Sequence, residues 1–247
     1  MYREYFRNNP RVKVAIIDHI TSQSAIRMPV EKLIPLCKEH GVLCLIDGAH
    51  APGQIPLDLR KLDADFYTGN LHKWLYTPKG CAFICIKEEY KEAIRPVVTS
   101  HGYKKDLQTD FFHQGTRDDS PYVVAKDAIG FYEDLGGHEK LAEYIGPLIE
   151  KAVQILTKTW GTSALPIPKS MEAPFMRLVQ LPKSKVFEGR KTFDELEPVI
   201  IDHIVNHSVT AQYTFVGGKN YIRVSANVYN TEDDYVKLSD FIKGLMD

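Results

Sequence analysis

Short apolar runs rich in β-branched residues punctuate the first part of the chain. Residues 12–17 read VKVAII and residues 42–46 read VLCLI, and an aspartate follows each run. Both runs predict buried strands. Between them, Pro29 begins and Gly41 ends a stretch whose apolar residues share one helical face. A strand, a helix and a strand in succession form a βαβ unit, so the sequence predicts a parallel sheet with helical layers.

The same patterns continue to the end of the chain. The further predicted elements are strands at 66–68 and 81–86, helices at 122–133 and 139–157, a strand near 176–180, a helix at 193–206, a hairpin of 211–216 and 221–225, and a helix from Glu232. The adjacent glycines Gly136 and Gly137 separate two long helices, and we place a domain boundary there. Residues 1–135 are thus predicted to form an α/β domain and residues 136–247 a small α+β domain.

Composition narrows the classes of function. The 247 residues are 44% hydrophobic and 26% charged, with a formal net charge of -1. This balance predicts no nucleic-acid partner and no anionic membrane surface. No apolar run approaches the ~20 residues of a spanning helix, and the start lacks the apolar core of a signal peptide, so we expect a cytoplasmic protein. Cys44, Cys81 and Cys85 lie in apolar runs, where cysteine behaves as a small hydrophobe.

Two residues in apolar surroundings are candidates for chemistry. Asp47 closes a predicted parallel strand, where ligands of α/β sheets bind, although Asp-Gly is also a common turn pair. Lys73 lies between His72 and Trp74, and desolvation there would make its amine a usable nucleophile. The alternative, a solvated surface lysine, suits Lys79 better because proline and glycine flank it. A strand-end carboxylate, a lysine in an aromatic pocket and a nearby histidine are the groups that pyridoxal phosphate chemistry uses.

Five motifs then carry a resemblance to a known family. They are DHITS at 18–22, IDGAH at 46–50, DFYTGNLHKW at 65–74, QGTRDDSPY at 114–122 and YIRVSANVYNTEDD at 221–234. In this order they resemble the pyridoxal phosphate enzymes of fold type I. Within that group they resemble the class V aminotransferase family, in its isopenicillin N epimerase-like and cysteine desulfurase-like branch. The resemblance implies the C-terminal part of a fold type I large domain, a mostly parallel sheet with helices on both faces, followed by a small α+β domain.

The resemblance also implies roles around the pyridine ring and the phosphate. Asp47 would pair with the pyridine nitrogen, Lys73 would form the Schiff base and shuttle the Cα proton, and His50 would lie close to the ring hydroxyl. Asn70 and His72 match positions that bind the cofactor phosphate. The expected substrate is an amino acid or an amino-acid-like molecule.

Four other matches concern the ring, the partner subunit and the substrate. Thr21 and Ser22 lie where the family places a polar side chain near the ring hydroxyl, with the register uncertain by one residue. Thr116 matches the position that reaches the phosphate of the neighbouring subunit, which implies a homodimer. Arg223 matches the arginine that grips the substrate carboxylate, and a guanidinium suits bidentate recognition of that group.

The sequence departs from the family in two ways. Members carry a long segment before the strand at residues 12–17, with the phosphate-binding loop and the group that stacks on the ring. Its absence predicts an exposed sheet edge and leaves a truncated, non-catalytic remnant that acts through protein contacts as the alternative function. No cysteine lies shortly before Arg223, which disfavours persulfide chemistry and leaves epimerisation, transamination and β- or γ-elimination open.

The spacing of two histidines resembles that of metal ligands, but the sequence does not support a metal site there. His203 and His207 are four residues apart in a predicted helix. The glutamate of the HExxH motif is absent and no third ligand is evident. We therefore predict no metal.

Overall fold

The computed structural model describes residues 1–112 and 114–246. The regular elements along these residues are, in chain order, α1 (Tyr2–Asn8), β1 (Val14–Asp18), α2 (Val30–Glu39), β2 (Leu43–Gly48), α3 (Leu59–Leu62), β3 (Phe66–Asn70), β4 (Ala82–Ile86), α4 (Leu107–Phe112), α5 (Ser120–Val123), α6 (Ala125–Asp134), α7 (Gly137–Trp160), β5 (Met176–Gln180), α8 (Phe193–His207), β6 (Gln212–Val216), β7 (Lys219–Ser225) and α9 (Glu232–Lys243). Short 3₁₀ turns follow β4 and precede β5. No helix in these two ranges is long and apolar enough to cross a membrane.

The chain divides into two compact units. The first contains Met1–His19 and Met28–Asp134, and the second contains Ile20–Arg27 together with the chain from Leu135 onward. The division at residue 135 lies beside the breaker glycines, both of which have positive φ angles. The segment 20–27, which the sequence alone leaves in the first domain, packs within the second unit instead.

A four-stranded sheet forms the centre of the first unit. Its order is β1-β2-β3-β4, with the first three strands parallel and β4 antiparallel to β3. The fold class predicted from the sequence, a mostly parallel α/β sheet followed by a small α+β part, is thereby confirmed.

One face of this sheet is covered by α2. The apolar side of the helix, with Leu33 and Ile34 among its buried residues, packs in one cluster with Ile17, Cys44 and Ile46 from the strands. Because side chains alternate along a strand, these three strand residues share a face. Their burial explains the apolar runs from which the strands were predicted.

The other face and the edge strands are more open. On β1, Val14 and Ile16 are 47% and 72% exposed, and Ile84 on β4 is 42% exposed. Cys85 corrects one expectation, because it is exposed on the end strand β4 whereas Cys44 and Cys81 are buried as small hydrophobes.

The second unit packs helices against a small antiparallel sheet of order β5-β7-β6. Its longest helix, α7, contributes a buried stripe that includes Ile145, Ile149 and Leu156. A two-residue turn joins β6 to β7, where Gly217 and Gly218 have φ angles of 55° and 83°. Two positive φ angles in a two-residue hairpin favour glycine, which confirms the hairpin predicted from the sequence.

Most predicted elements are confirmed, with one interruption. The helix expected at 122–133 is two helices, α5 and α6, separated by Val124. Val124 acts as the C-cap of α5, and its N–H donates to the Ser120 carbonyl oxygen at 3.1 Å. The apolar periodicity continues across this break, so the sequence pattern does not reveal it.

Candidate active site

The first candidate residue, Asp47, ends the parallel strand β2. In the ladder it lies beside Asp18 of β1 on one side and Thr68 of β3 on the other. The Ala49 N–H donates to Asp47 Oδ1 at 2.9 Å, which fixes the orientation of the carboxylate. Burial, and then the negative charge of Asp47, raise the pKa of Asp18. Asp47 is thus a half-buried, oriented carboxylate at the edge where α/β sheets bind ligands.

The residue after Asp47 brings the backbone close to an aromatic ring. A side chain at Gly48 would collide with the ring of Tyr67 on β3. The Tyr67 hydroxyl forms a 3.0 Å hydrogen bond with His19 Nδ1. Burial, followed by the charges of Asp47 and Glu31, raises the pKa of Tyr67 far above its usual range, so the phenol stays protonated. Tyr67 therefore packs against the site without adding a charge.

Lys73 lies in the turn that follows β3. It is half-buried, whereas Lys79 in the same connection is exposed. The turn is held by the Leu75 N–H, which donates to the Leu71 carbonyl oxygen at 3.2 Å. Tyr76, three residues after Lys73, has a φ angle of 61°, and its ring lies edge-on to that of Phe131 at 5.5 Å. A non-glycine residue in the left-handed region costs about 1–3 kcal/mol and persists where packing holds it, so this turn is a constrained one.

Asn70 and His72 flank the turn. Asn70 is the half-buried last residue of β3. His72 Nδ1 lies 3.0 Å from the carbonyl oxygen of Cys81. Because a carbonyl can only accept, Nδ1 carries a proton and donates it, which leaves Nε2 as the nitrogen that can face a ligand. Both residues are therefore near Lys73 in the chain, and their side chains are suited to a phosphate.

His50 lies one turn after Asp47 and is buried. Its carbonyl oxygen accepts a hydrogen bond from Gln54 Nε2 at 2.8 Å, and its Nδ1 accepts one from the indole of Trp74 at 3.4 Å. The sequence did not indicate either partner. The only signal for Trp74 was general, since a buried indole N–H normally finds an acceptor.

In the second unit, Arg223 on β7 contacts one of the other candidates, Ser22. Its Nη1 donates to the carbonyl oxygen of Ser22 at 2.6 Å and lies 3.3 Å from the Ser22 hydroxyl. Burial lowers the pKa of Arg223. Its Nε is also buried and has no hydrogen-bond partner in the part of the chain that the structure describes. A half-buried guanidinium with an unused donor is suited to bind a carboxylate.

Thr21 and Ser22 are distinguished by their hydrogen bonds. The Thr21 hydroxyl accepts from the Ile26 N–H at 2.8 Å and bonds the Ser24 hydroxyl at 2.7 Å. These bonds close the loop 20–27 on itself. Ser22 instead lies beside Arg223, so the structure gives the two alternatives of the sequence register different environments.

Thr116 is separate from the other candidates. It is exposed in the connection between α4 and α5, next to Gly115, whose φ angle is 118°. An exposed position is the one that a role in a neighbouring subunit requires. That role stays a prediction.

Within the first unit, the structure therefore brings five candidates to the carboxyl ends of two adjacent strands. They are Asp47 and His50 at and after the end of β2, and Asn70, His72 and Lys73 at and after the end of β3. Comparisons with known proteins identify the family. The family model described as Aminotransferase class-V matches residues 5–238.

The chain belongs to the class V aminotransferase family. One relative is the putative L-cysteine desulfhydrase 1 of Oryza sativa subsp. japonica, which is 33% identical over 96% of this chain and 52% of its own length. Hercynylcysteine sulfoxide lyase of Schizosaccharomyces pombe is 29% identical over 98% of this chain and 60% of its own length. Isopenicillin N epimerase of Amycolatopsis lactamdurans is 27% identical over 96% and 61%. The chain thus spans about half to three-fifths of the length of these relatives.

Solved structures show the same fold. The cystine C-S lyase C-DES matches with a TM-score of 0.76 at 18% identity, over 100% of this chain and 65% of the other. A cysteine desulfurase from Thermococcus onnurineus matches with a TM-score of 0.73 at 18% identity, over 98% and 63%. The chain therefore has the fold of fold type I pyridoxal phosphate enzymes over part of their length.

The residues present fit the cofactor that this family uses. Asp47 offers a carboxylate to a pyridinium nitrogen, and Lys73 offers a half-buried amine to an aldehyde. His72 Nε2 remains available for a phosphate because Nδ1 is satisfied by Cys81. These are the donor and acceptor types that pyridoxal phosphate requires of its protein.

The histidine pair on α8 forms a structural contact. His203 is buried, and its Nδ1 lies 2.6 Å from the Tyr213 hydroxyl. Its ring packs edge-on against Phe241 at 4.7 Å. Among the described residues no group of three histidine, cysteine or acidic side chains could hold a metal ion.

Burial of His203 predicts a pH dependence of stability. Burial lowers the pKa of His203 in the folded protein, while in the unfolded chain it is about 6.5. The unfolded state then binds more protons below that pH, so stability is full above pH ~6.5 and falls as the pH decreases through the folded pKa.

Urea midpoints measured at pH about 7.5 and 5.5 test this pH dependence. His203→Gln is expected to reduce the difference between them, and His138, whose pKa burial also lowers, is expected to maintain the remainder. An unchanged difference in the variant would contradict the assignment.

Proposed function

We propose that this chain carries the Schiff-base chemistry of a pyridoxal phosphate enzyme that cleaves a carbon–sulfur bond in an amino-acid substrate. The observation that carries the proposal is the half-buried Lys73, which lies in a constrained turn beside Asn70 and His72 and follows the strand next to Asp47. Several relatives support the finer reaction class, since their names are cysteine desulfhydrase and sulfoxide lyase.

In this proposal the cofactor supplies an aldehyde that captures the substrate amine and a ring that withdraws electrons from Cα when its nitrogen is protonated. Asp47 keeps that nitrogen protonated, because a fixed carboxylate stabilises a pyridinium by charge and hydrogen bonding. Asn70 and His72 would hold the phosphate, and His50 would donate to the ring hydroxyl in its deprotonated, anionic form. Arg223 would bind the substrate carboxylate, and its Nε has no hydrogen-bond partner among the described residues.

Lys73 moves the proton. Its amine, released when the substrate amine replaces it, takes the proton from Cα. With the cofactor bound, the electron pair left at Cα would form a double bond to Cβ as the bond between Cβ and sulfur breaks, and the leaving thiolate would take up the proton that Lys73 holds. The Lys73 amine would then displace the unsaturated amine from the aldehyde carbon, and water would convert the freed amine into a keto acid and ammonia. Atoms and charge balance without an added oxidant or reductant.

One alternative has specific support. Return of the Cα proton to the opposite face would give epimerisation, and a relative named isopenicillin N epimerase favours it. Persulfide transfer is disfavoured because all four cysteines lie before residue 90, and Cys85 is the exposed one.

We also propose a homodimer in a reducing cytoplasm. The stretch from Val97 to Val123, which contains Thr116, exposes large apolar side chains, among them Val97, Phe112 and Val123 at 104%, 75% and 76%. Exposed apolar groups of this kind are typical of a surface that another polypeptide covers. The four cysteines are free thiols, which suits a reducing compartment.

Trapping of the cofactor tests the proposal. Pyridoxal phosphate is added to the purified chain, the mixture is reduced with borohydride, and the modified peptide is mapped by mass spectrometry. We expect the adduct on Lys73, because its amine is half-buried beside the phosphate ligands. Lys79→Ala is the matched control, since it removes the exposed lysine of the same connection, and it is expected to leave the adduct intact. An adduct on Lys79, or no adduct at saturating cofactor, would refute a cofactor-binding role for this chain.

A further inference from the structure

The contact between Trp74 and His50 determines which nitrogen of the imidazole carries the proton. Both side chains are 7% exposed, and the indole Nε1 lies 3.4 Å from His50 Nδ1. An indole N–H is a donor only, so Nδ1 must be the accepting, unprotonated nitrogen. The single proton of a neutral His50 is therefore on Nε2.

The backbone on both sides of this contact is fixed. Gln54, fully buried, donates from Nε2 to the His50 carbonyl oxygen at 2.8 Å. A side chain at Gly53 would collide with the carbonyl group of Trp74, so the two segments touch at this glycine. The Tyr132 hydroxyl donates to the Gly53 carbonyl oxygen at 3.1 Å. The two rings consequently meet in a defined geometry rather than through a mobile surface contact.

We propose that Trp74 is a positioning residue that holds His50 as the Nε2–H tautomer. This inference rests on the proposed function, in which His50 donates a hydrogen bond to an anionic oxygen on the cofactor ring. The opposite tautomer would present a lone pair from Nε2 to that oxygen and would repel it. Trp74 thus acts on the cofactor only through His50, by selecting the form of the imidazole that can donate.

Heteronuclear NMR of the unloaded chain with isotope-labelled histidine tests this directly. The spectrum is recorded at pH about 8, above the usual histidine pKa, so that the imidazole is neutral. The His50 signals are assigned as those missing in His50→Gln. We expect the Nε2–H pattern in the wild type. An Nδ1–H pattern in the wild type would overturn the proposal.

Trp74→Phe removes the donor and keeps an aromatic ring. The ratio of Nε2–H to Nδ1–H tautomer at His50 is expected to fall by about two- to tenfold, the worth of one neutral hydrogen bond. Trp160→Phe is the matched control, because Trp160 is the other tryptophan and its buried indole donates to the Ser239 carbonyl oxygen at 3.1 Å. It is expected to leave the His50 ratio unchanged.

The outcomes separate this inference from the proposed function. An unchanged His50 ratio in Trp74→Phe would overturn the role of Trp74. If that variant does not fold, the tautomer in the wild type still tests the proposal, because an Nδ1–H pattern would overturn it. The measurement needs no cofactor, so a failure of trapping at Lys73 would refute the proposed function without altering the tautomer result.

Discussion

Lys73→Ala is expected to lower Cα proton exchange by about 10²–10⁴-fold, the range that a positioned acid–base group contributes. Lys73 is the proposed group that takes the Cα proton, and alanine offers neither a base nor an amine. Exchange of the Cα hydrogen of an amino acid in deuterated water, followed by NMR in the presence of pyridoxal phosphate, measures this step. The assay applies equally to elimination, epimerisation and transamination, because all of them begin with the loss of this proton.

The control for this prediction is Lys79→Ala. Lys79 is exposed in the same connection, so its removal is expected to leave the exchange rate within about twofold of wild type, as for other surface changes. A Lys73→Ala protein that exchanges at a comparable rate would show that another group removes the proton.

The second large effect is expected at Arg223. Truncating one partner of a buried charge pair costs about 2–5 kcal/mol, so Arg223→Ala should lower kcat/KM by about 30- to 4,000-fold. The physical reason is that the substrate carboxylate would lose both the opposite charge and the bidentate donors. Steady-state kinetics with an S-substituted cysteine measure the loss.

Arg223→Ala should have little effect on the reaction rate of a substrate that lacks the carboxylate. The matching amine, in which hydrogen replaces the carboxylate, is therefore expected to react at similar rates with wild type and Arg223→Ala. Lys219→Ala serves as a control on the same strand, because Lys219 is exposed and its Nζ donates to the half-buried Gln180 Oε1 at 3.0 Å. Equal losses for both substrates would show that Arg223 supports the fold rather than the carboxylate.

Local patterns were sufficient to predict most of the fold. The strand near 176–180 is β5, Met176–Gln180, and the βαβ unit follows from two apolar runs around one amphipathic helix. The spacing of apolar residues indicates which side of each segment is buried, and this spacing is the dominant local signal in a sequence. The break at Val124 and the exposure of Cys85 were not predictable in this way, because each depends on where an element lies in the sheet or on its neighbours.

The same distinction applies to the candidate site, where local signals identified some residues and not others. Asp47, Lys73 and Arg223 were identifiable because each places a charge beside apolar residues, and because their motifs resemble a family. The Trp74–His50 contact was not, since its two residues are separated by other elements and meet only through packing at Gly53. Likewise, the sequence did not separate Thr21 from Ser22, whereas the structure distinguishes them: Thr21 bonds within the loop and Ser22 bonds Arg223.

The loop 20–27 also constrains how this protein can have diverged by recombination. The Arg27 N–H donates to the Met171 carbonyl oxygen at 2.7 Å, and Arg223 holds Ser22, so the loop depends on residues encoded far downstream. A single crossover near residue 135 would combine a loop from one parent with a β7 and a turn before β5 from the other. Exchange of the second unit between relatives is therefore expected to succeed only when residues 20–27 are transferred with it.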